Sequence, residues 1–231
     1  MSETAFILCG GLGTRLGIET QKTLLEIQGR ALLDYNISLM KRHGIKKIIL
    51  GVGHYADHVK NKFGSGDSLG VNIIYSEEDK PMGTAGALKL AKNHIENRFV
   101  MCNGDEVKDI DLDEMIKLHE KNNALITIAL TTIEDPSSFG VAKLDGDRIV
   151  EFVEKPKKEE APSNLINSGL YIVEPEVIEM IPDGSVSIER DIFPIIAEKN
   201  KLFGFKFSSQ WFPTDTVERI ERAKNEWKPP F

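Results

Sequence analysis

The sequence predicts an α/β fold, a mostly parallel mixed sheet flanked by helices on both faces. Three observations predict it. Over the first two thirds of the chain, short apolar runs alternate with segments of helical periodicity, the pattern of repeated βαβ units. In the last third, Asp145-Gly146-Asp147 separates two strand-like runs, a strong hairpin signal. The chain has 231 residues, 41% of them hydrophobic, which suffices for one large core.

The elements follow in order. Residues 5–9 (AFILC) are a continuous apolar run ending in glycines, the mark of a buried strand. Residues 30–43 place Leu32, Leu33, Tyr35, Ile37, Leu39 and Met40 at helical spacing, with Gly44 as the stop. Strands are predicted at 47–52, 71–75, 98–102 and 124–131, and helices at 54–63, 84–95 and 112–121. The hairpin strands are 139–144 and 148–154. A strand at 170–173, a short helix from Pro175, a helix at 187–200, a strand at 202–207 and a closing helix at 216–227 complete the chain. The proline-bearing stretch 157–163 is too short to divide two domains, so residues 1–231 read as one Rossmann-like domain. In such sheets ligands bind at the carboxyl ends of the strands. The loops after Cys9 and Cys102 are therefore expected on one functional edge.

Bulk properties exclude several function classes. The formal net charge of −7 disfavours nucleic acid and anionic membranes, both of which call for a positive field. No stretch approaches the roughly 18 apolar residues of a membrane span. Residues 1–4 are polar and run straight into the first strand, so the sequence predicts no secretory leader and a cytoplasmic protein. Cys9 and Cys102 form no metal-ligand spacing and read as buried free thiols. The five histidines show no nucleophile or metal pattern and read as surface or packing residues.

The strongest local signal is Gly10-Gly11-Leu12-Gly13-Thr14-Arg15-Leu16, directly after the first strand. Glycines let a backbone approach a phosphate chain and turn N–H donors toward it. Arg15 adds a planar cation suited to phosphate oxygens, and Lys22 follows seven residues later. The Walker ending Gly-Lys-Ser/Thr is absent, and Gly29 stands where a dinucleotide fingerprint expects an acid.

These residues resemble the sugar-phosphate nucleotidylyltransferases, which open with a strand, a Gly-Gly-x-Gly-Thr-Arg-Leu loop and a lysine. The resemblance extends along nearly the whole chain. The segment from Pro81 to Leu88, with Gly83, resembles the family's base-binding loop. Asn103-Gly104-Asp105 resembles its strand-end metal aspartate. Phe139-Gly140-Val141 and Glu154-Lys155-Pro156 match the hairpin that holds the sugar phosphate, and Asn167 to Tyr171 matches the strand that contacts the sugar. Two departures stand out. Gln21 and Thr23 flank Lys22 where prolines are usual. The usual Trp-x-Asp-x-Gly segment reads Trp211-Phe212-Pro213-Thr214-Asp215-Thr216, which makes Asp215 the local candidate for the second metal aspartate.

The resemblance implies Mg²⁺-dependent transfer of a nucleotidyl group from an NTP to a sugar 1-phosphate, with pyrophosphate released. Arg15, Lys22 and Asp105 are the implied catalytic residues. Leu8, Gly10, Gly11, Gly13, Thr14 and Gly83 join them in nucleotide binding, Gly140, Glu154, Lys155 and Asn167 hold the sugar phosphate, and Asp105 and Asp215 hold the metal. Residues 1–132 would form the nucleotide part and 133–231 the sugar-phosphate part. Each acid also has a structural reading: Asp105 and Asp215 as helix caps, Glu154 as a partner of Lys155. Trp211 reads as core, with base stacking as the alternative. The Gly-Thr-Ala-Gly segment resembles guanylyltransferases and the Trp211–Thr216 segment resembles cytidylyltransferases, so the base stays open, as does the sugar. A nucleotide-sugar-dependent glycosyltransferase and an inactive regulatory subunit are the rival readings. Ending at Phe231, the sequence is expected to carry no appended acetyltransferase or β-helix domain, and it is compatible with a homodimer.

Overall fold

The structure is a computed structural model, and it describes residues 4–10 and 21–230. Among the described residues, nine strands form one mixed sheet. The strands are β1 (Thr4–Leu8), β4 (Lys47–Val52), β5 (Asn72–Glu77), β6 (Phe99–Asn103), β8 (Ile126–Thr132), β9 (Gly140–Asp145), β10 (Arg148–Glu154), β11 (Leu165–Val173) and β12 (Leu202–Lys206). Their order is β5-β4-β1-β6-β11-β8-β12-β10-β9. The first four are parallel; beyond β6, β11 runs antiparallel to both its neighbours and β8 and β12 are again parallel. Two small ladders stand apart, β2 (Glu26–Ile27) with β3 (Arg30–Ala31), and β7 (Glu106–Lys108) with β13 (Trp211–Pro213).

Side chains that alternate along a strand point to opposite faces, and here each face carries its own core. Ala5, Ile7, Ile48 and Leu50 pack beneath α1 (Leu32–Arg42), α2 (Ala56–Phe63) and α4 (Leu112–Lys121). Phe6, Ile49 and Met101 face α3 (Gly83–Leu90), α5 (Glu176–Glu179) and α6 (Phe193–Glu198). A third cluster of Ile27, Leu32, Tyr35, Val107, Phe212, Ala223 and Trp227 anchors α7 (Val217–Glu226) to the two small ladders rather than to the main sheet. Among the described residues no helix is long and apolar enough to cross a membrane.

The 145–148 hairpin forms as expected, with Arg148 opposite Asp145 and a bulge between Ile149 and Glu151. Other boundaries differ for physical reasons. The helix expected from residue 30 begins at Leu32, because a turn at Gln28 (φ 52°) and Gly29 (φ 78°) closes the β2–β3 hairpin first. The helix expected over 187–200 opens as a π-helical turn, Ile188–Ile192, and becomes α-helical at Phe193. Pro194, which lacks an N–H, sits at that junction.

The sheet order places the site. From β1 the chain moves outward to β4 and β5, then returns to the other side of β1 with β6. The crevice between the carboxyl ends of β1 and β6 is the topological switch point, where open α/β sheets bind ligands. Leu8 pairs with Asn103 in this ladder, so Gly10 and Asp105 emerge side by side as anticipated.

Candidate active site

Asp105 follows β6 and caps no helix; the cap of α4 is Asp111, whose carboxylate accepts from the backbone N–H groups of Asp113 and Glu114. The Asp105 loop is braced from three sides. Gly104 N donates to Leu8 O at 3.0 Å, the buried Asn36 amide donates to Glu106 O at 2.8 Å, and Thr214 Oγ1 donates to Asp105 O at 2.6 Å. Lys22 opens a short 3₁₀ turn and its Nζ donates to Asp105 Oδ2 at 2.6 Å. Gln21, in place of a proline, caps that turn with its side-chain oxygen and donates Nε2 to His54 O. Lys22 thus reaches the strand end despite its altered neighbours.

Two cavities meet at this ion pair. One, of about 620 Å³, is lined by Gly140, Glu154, Lys155, Asn167 and Asp215 together with Glu106 and Glu189. The other, of about 350 Å³, is lined by Leu8, Gly10, Gly83, Thr84 and Glu78. Lys22, Asn103 and Asp105 line both. Gly11, Gly13, Thr14 and Arg15 lie outside the described residues.

In the smaller cavity, Glu78 Oε2 accepts from Met82 N at 3.0 Å. Its other oxygen stands over the end of β1, so close that a Cβ on Gly10 would come within 3.1 Å of it. Gly83 starts α3 at φ 71°, and a Cβ there would meet Val186 O at 2.5 Å, so this backbone needs glycine.

In the larger cavity, Gly140 lets the hairpin close over Phe152 and Glu154, whose atoms would stand 2.4 and 2.8 Å from a Cβ. Glu154 pairs with Lys155 at 3.5 Å, and Lys155 sits at φ 52° with its side chain half exposed. Burial pushes the Glu154 carboxyl above the usual carboxylate range, and the nearby charge of Glu189 adds to it. Asn167 donates to the hydroxyl of Tyr171 at 2.9 Å.

Three residues here carry no motif of their own. Glu106 is almost wholly buried, accepting from Trp211 Nε1 at 2.5 Å and Asn103 Nδ2 at 3.2 Å beside the buried Lys108, and its burial raises its pKa. Glu189 accepts from Thr84 Oγ1 and Ser187 Oγ, bridging α3 to the turn before α6. Glu78 is the third. The alternation of strand and loop marks none of them; a carboxylate at a strand end or helix start is the available cue. Trp211 corrects an expectation. It is half buried rather than core, because its indole N–H is spent on Glu106 and its ring meets the Phe139 edge at 5.3 Å. It lines neither of the two cavities that meet at Lys22 but a third, of about 380 Å³, on the other side of Phe139.

Asp215 does not cap α7 either; Thr216 does, accepting from Arg219 N. The Asp215 carboxylate is instead bound by Arg219 Nη1 at 2.8 and 3.0 Å. Burial pushes this carboxyl up, but Arg219's hydrogen bonds and charge outweigh it and hold it below the usual range. Asp105 and Asp215 therefore face one cavity with oxygen ligands of the kind hard divalent cations take. Five acids line that cavity against two lysines, so a phosphate entering it needs added positive charge. Among the described residues, three groups close enough to share a cation, His43, Asp111 and Asp113 within 4.8 Å of one another, lie instead where α1 ends and α4 begins.

Residues 4–228 match the family described as nucleotidyl transferase. The chain is 35% identical over 215 residues to the mannose-1-phosphate guanylyltransferase catalytic subunit beta of Drosophila pseudoobscura pseudoobscura, covering 90% of this chain and 57% of that protein. It is 35% identical over 227 residues to the mannose-1-phosphate guanylyltransferase of Mycobacterium tuberculosis, covering 95% and 63%. The chain thus spans less than two thirds of the length of these relatives. A Bacillus anthracis protein assigned as a glucose-1-phosphate thymidylyltransferase, crystallised in complex with a sucrose, superposes with a TM-score of 0.87 at 27% identity, covering 96% of this chain and 94% of that one.

Proposed function

This chain belongs to the nucleotidyl transferase family, and from that premise we propose that it joins the nucleotidyl unit of GTP to a hexose 1-phosphate of the mannose type, releasing pyrophosphate. One observation carries the reading: two cavities of substrate size share Lys22, Asn103 and Asp105 at their junction. A nucleoside triphosphate in the smaller lobe and a sugar phosphate in the larger would bring their phosphates together there.

The sugar-phosphate oxygen is already a nucleophile. It attacks the α-phosphorus, the bond from that phosphorus to the β-phosphate oxygen breaks, and pyrophosphate leaves with the electron pair. No covalent enzyme intermediate is needed, so positioning and charge stabilisation carry the catalysis. Lys22 neutralises the triphosphate and Lys155 holds the incoming phosphate, while Arg15 serves the triphosphate from the glycine-rich loop. Asp105 and Asp215 would hold Mg²⁺, which supplies charge neutralisation at the transferring phosphoryl group. Glu154, Glu189 and Asn167 offer acceptors to sugar hydroxyls.

Glu78 supports guanine. Its carboxylate meets donors, and guanine presents N1–H and N2–H₂ on one edge, where uracil and thymine present no amino group. The relatives named as guanylyltransferases agree with it.

The test is pyrophosphate release from GTP and mannose 1-phosphate with Mg²⁺. Replacing Asp105 by Ala should lower turnover roughly 10²–10³-fold, the effect of losing about 3–4 kcal/mol of charge stabilisation. Near-normal turnover would remove Asp105 from the metal site. Incubation with each NTP and Mg²⁺ should raise the melting temperature most with GTP.

A further inference from the structure

Arg219 occupies the position on Asp215 that a chelated cation takes. A single nitrogen, Nη1, bridges both carboxylate oxygens at 2.8 and 3.0 Å. This is not the fork-to-fork pairing in which two nitrogens each take one oxygen and arginine binds most strongly. The guanidinium lies over the Phe139 ring, 4.8 Å from its centroid. It also fronts a cavity of about 380 Å³ lined by Thr131, Ser208, Trp211 and Arg222, outside the sugar lobe. A guanidinium leaving Asp215 would therefore keep an aromatic face and gain an open space lined with hydroxyls. Asp105 is likewise engaged by a cation, Lys22, through its Oδ2 alone.

Resting on the reading of Asp215 as a metal ligand, we propose that Arg219 is the resident counter-ion of Asp215. It is a positioning residue that competes with the divalent cation for one carboxylate and so sets the concentration at which the cation binds. Both side chains are about one third exposed, 30% for Arg219 and 33% for Asp215. An ion pair of that exposure is weak enough to yield to a divalent ion and strong enough to register.

The experiment titrates the purified chain with Mn²⁺ alone and follows the free-ion signal by electron paramagnetic resonance. Arg219→Gln should bind Mn²⁺ roughly two- to fivefold more tightly than the parent protein. Arg219→Lys keeps the charge and should stay within about twofold of it, and Asp215→Asn should weaken binding. A merely structural arginine would give the opposite sign in Arg219→Gln, because a disordered Asp215 loses affinity. If Asp215→Asn weakens binding but Arg219→Gln does not tighten it, the counter-ion proposal is overturned and the metal reading stands. Tightening of the Lys variant to the level of the Gln variant overturns it as well. If Asp215→Asn changes nothing, Asp215 is no ligand and both fall together.

Discussion

At the scale of single residues, carboxylates at the strand ends are put to different uses by their immediate partners. Glu78 is anchored through one oxygen to the Met82 N–H and keeps the other over the end of β1. On the proposed guanine reading, replacing it by Gln turns one acceptor into a donor opposed to the base's own donors. kcat/KM for GTP should fall roughly 10–100-fold, the loss of about 1.5–3 kcal/mol typical of a hydrogen bond to a charged group, while the value for UTP changes little. Equal loss for both nucleotides would remove Glu78 from base reading. That Asp105, Lys22 and Lys155 gather at one cavity was legible from segments resembling a family pattern, even though Gln21 and Thr23 depart from it around Lys22. Glu78, Glu106 and Glu189 were not, because they reach the cavities only when the ends of β1 and β5, the β7–β13 ladder and the segment before α6 come to one edge. The cysteines behave as read: both thiols are buried, and burial pushes Cys102 up to about 12.

At the scale of elements, the decisive one is α7. Thr216 caps it, and Trp227 closes its far end, with edge contacts to Tyr35 at 5.8 Å and Phe212 at 6.1 Å. Thr216→Ala should cost about 1 kcal/mol of stability in a denaturant titration. Trp227→Ala should cost about 3–5 kcal/mol. Trp227→Phe should cost markedly less, because the buried indole N–H has no hydrogen-bond partner among the described residues and its loss strands nothing. A Phe variant as unstable as the Ala variant would contradict that. The helix itself was visible from its spacing. The β7–β13 ladder that carries Asp215 to Asp105 was not, since three residues are too few to show a period and Pro213 argues against a strand.

Across the whole molecule, the βαβ rhythm and the hairpin were legible because one period of alternation sorts each strand's side chains between the two cores. The antiparallel β11 beside β6 was less so: its strand signal covered only 170–173, while Ser168 and Gly169 break the pairing register between Asn167 and Tyr171. On the flank away from Lys22 and Asp105, buried His119 contacts Thr127 Oγ1 at 2.8 Å and Glu174 at 3.2 Å. Burial lowers its pKa below the ordinary 6.5 despite the pull of Glu174. Since the folded value is the lower one, the unfolded chain takes up the proton first as pH falls. The stabilisation is complete above about pH 6.5 and is lost as the pH drops through the folded value. Calorimetry should show the melting temperature falling below about pH 6.5, with a shallower fall in His119→Gln; identical slopes would clear His119 of this part. The third hydrophobic cluster has a thermal corollary. Because α7 is moored to two miniature ladders, heat can peel it away and separate Asp215 from Asp105 while the nine-stranded slab persists. Loss of the proposed nucleotidyl transfer should then precede loss of ellipticity, so its thermal ceiling would be set by β13 and α7.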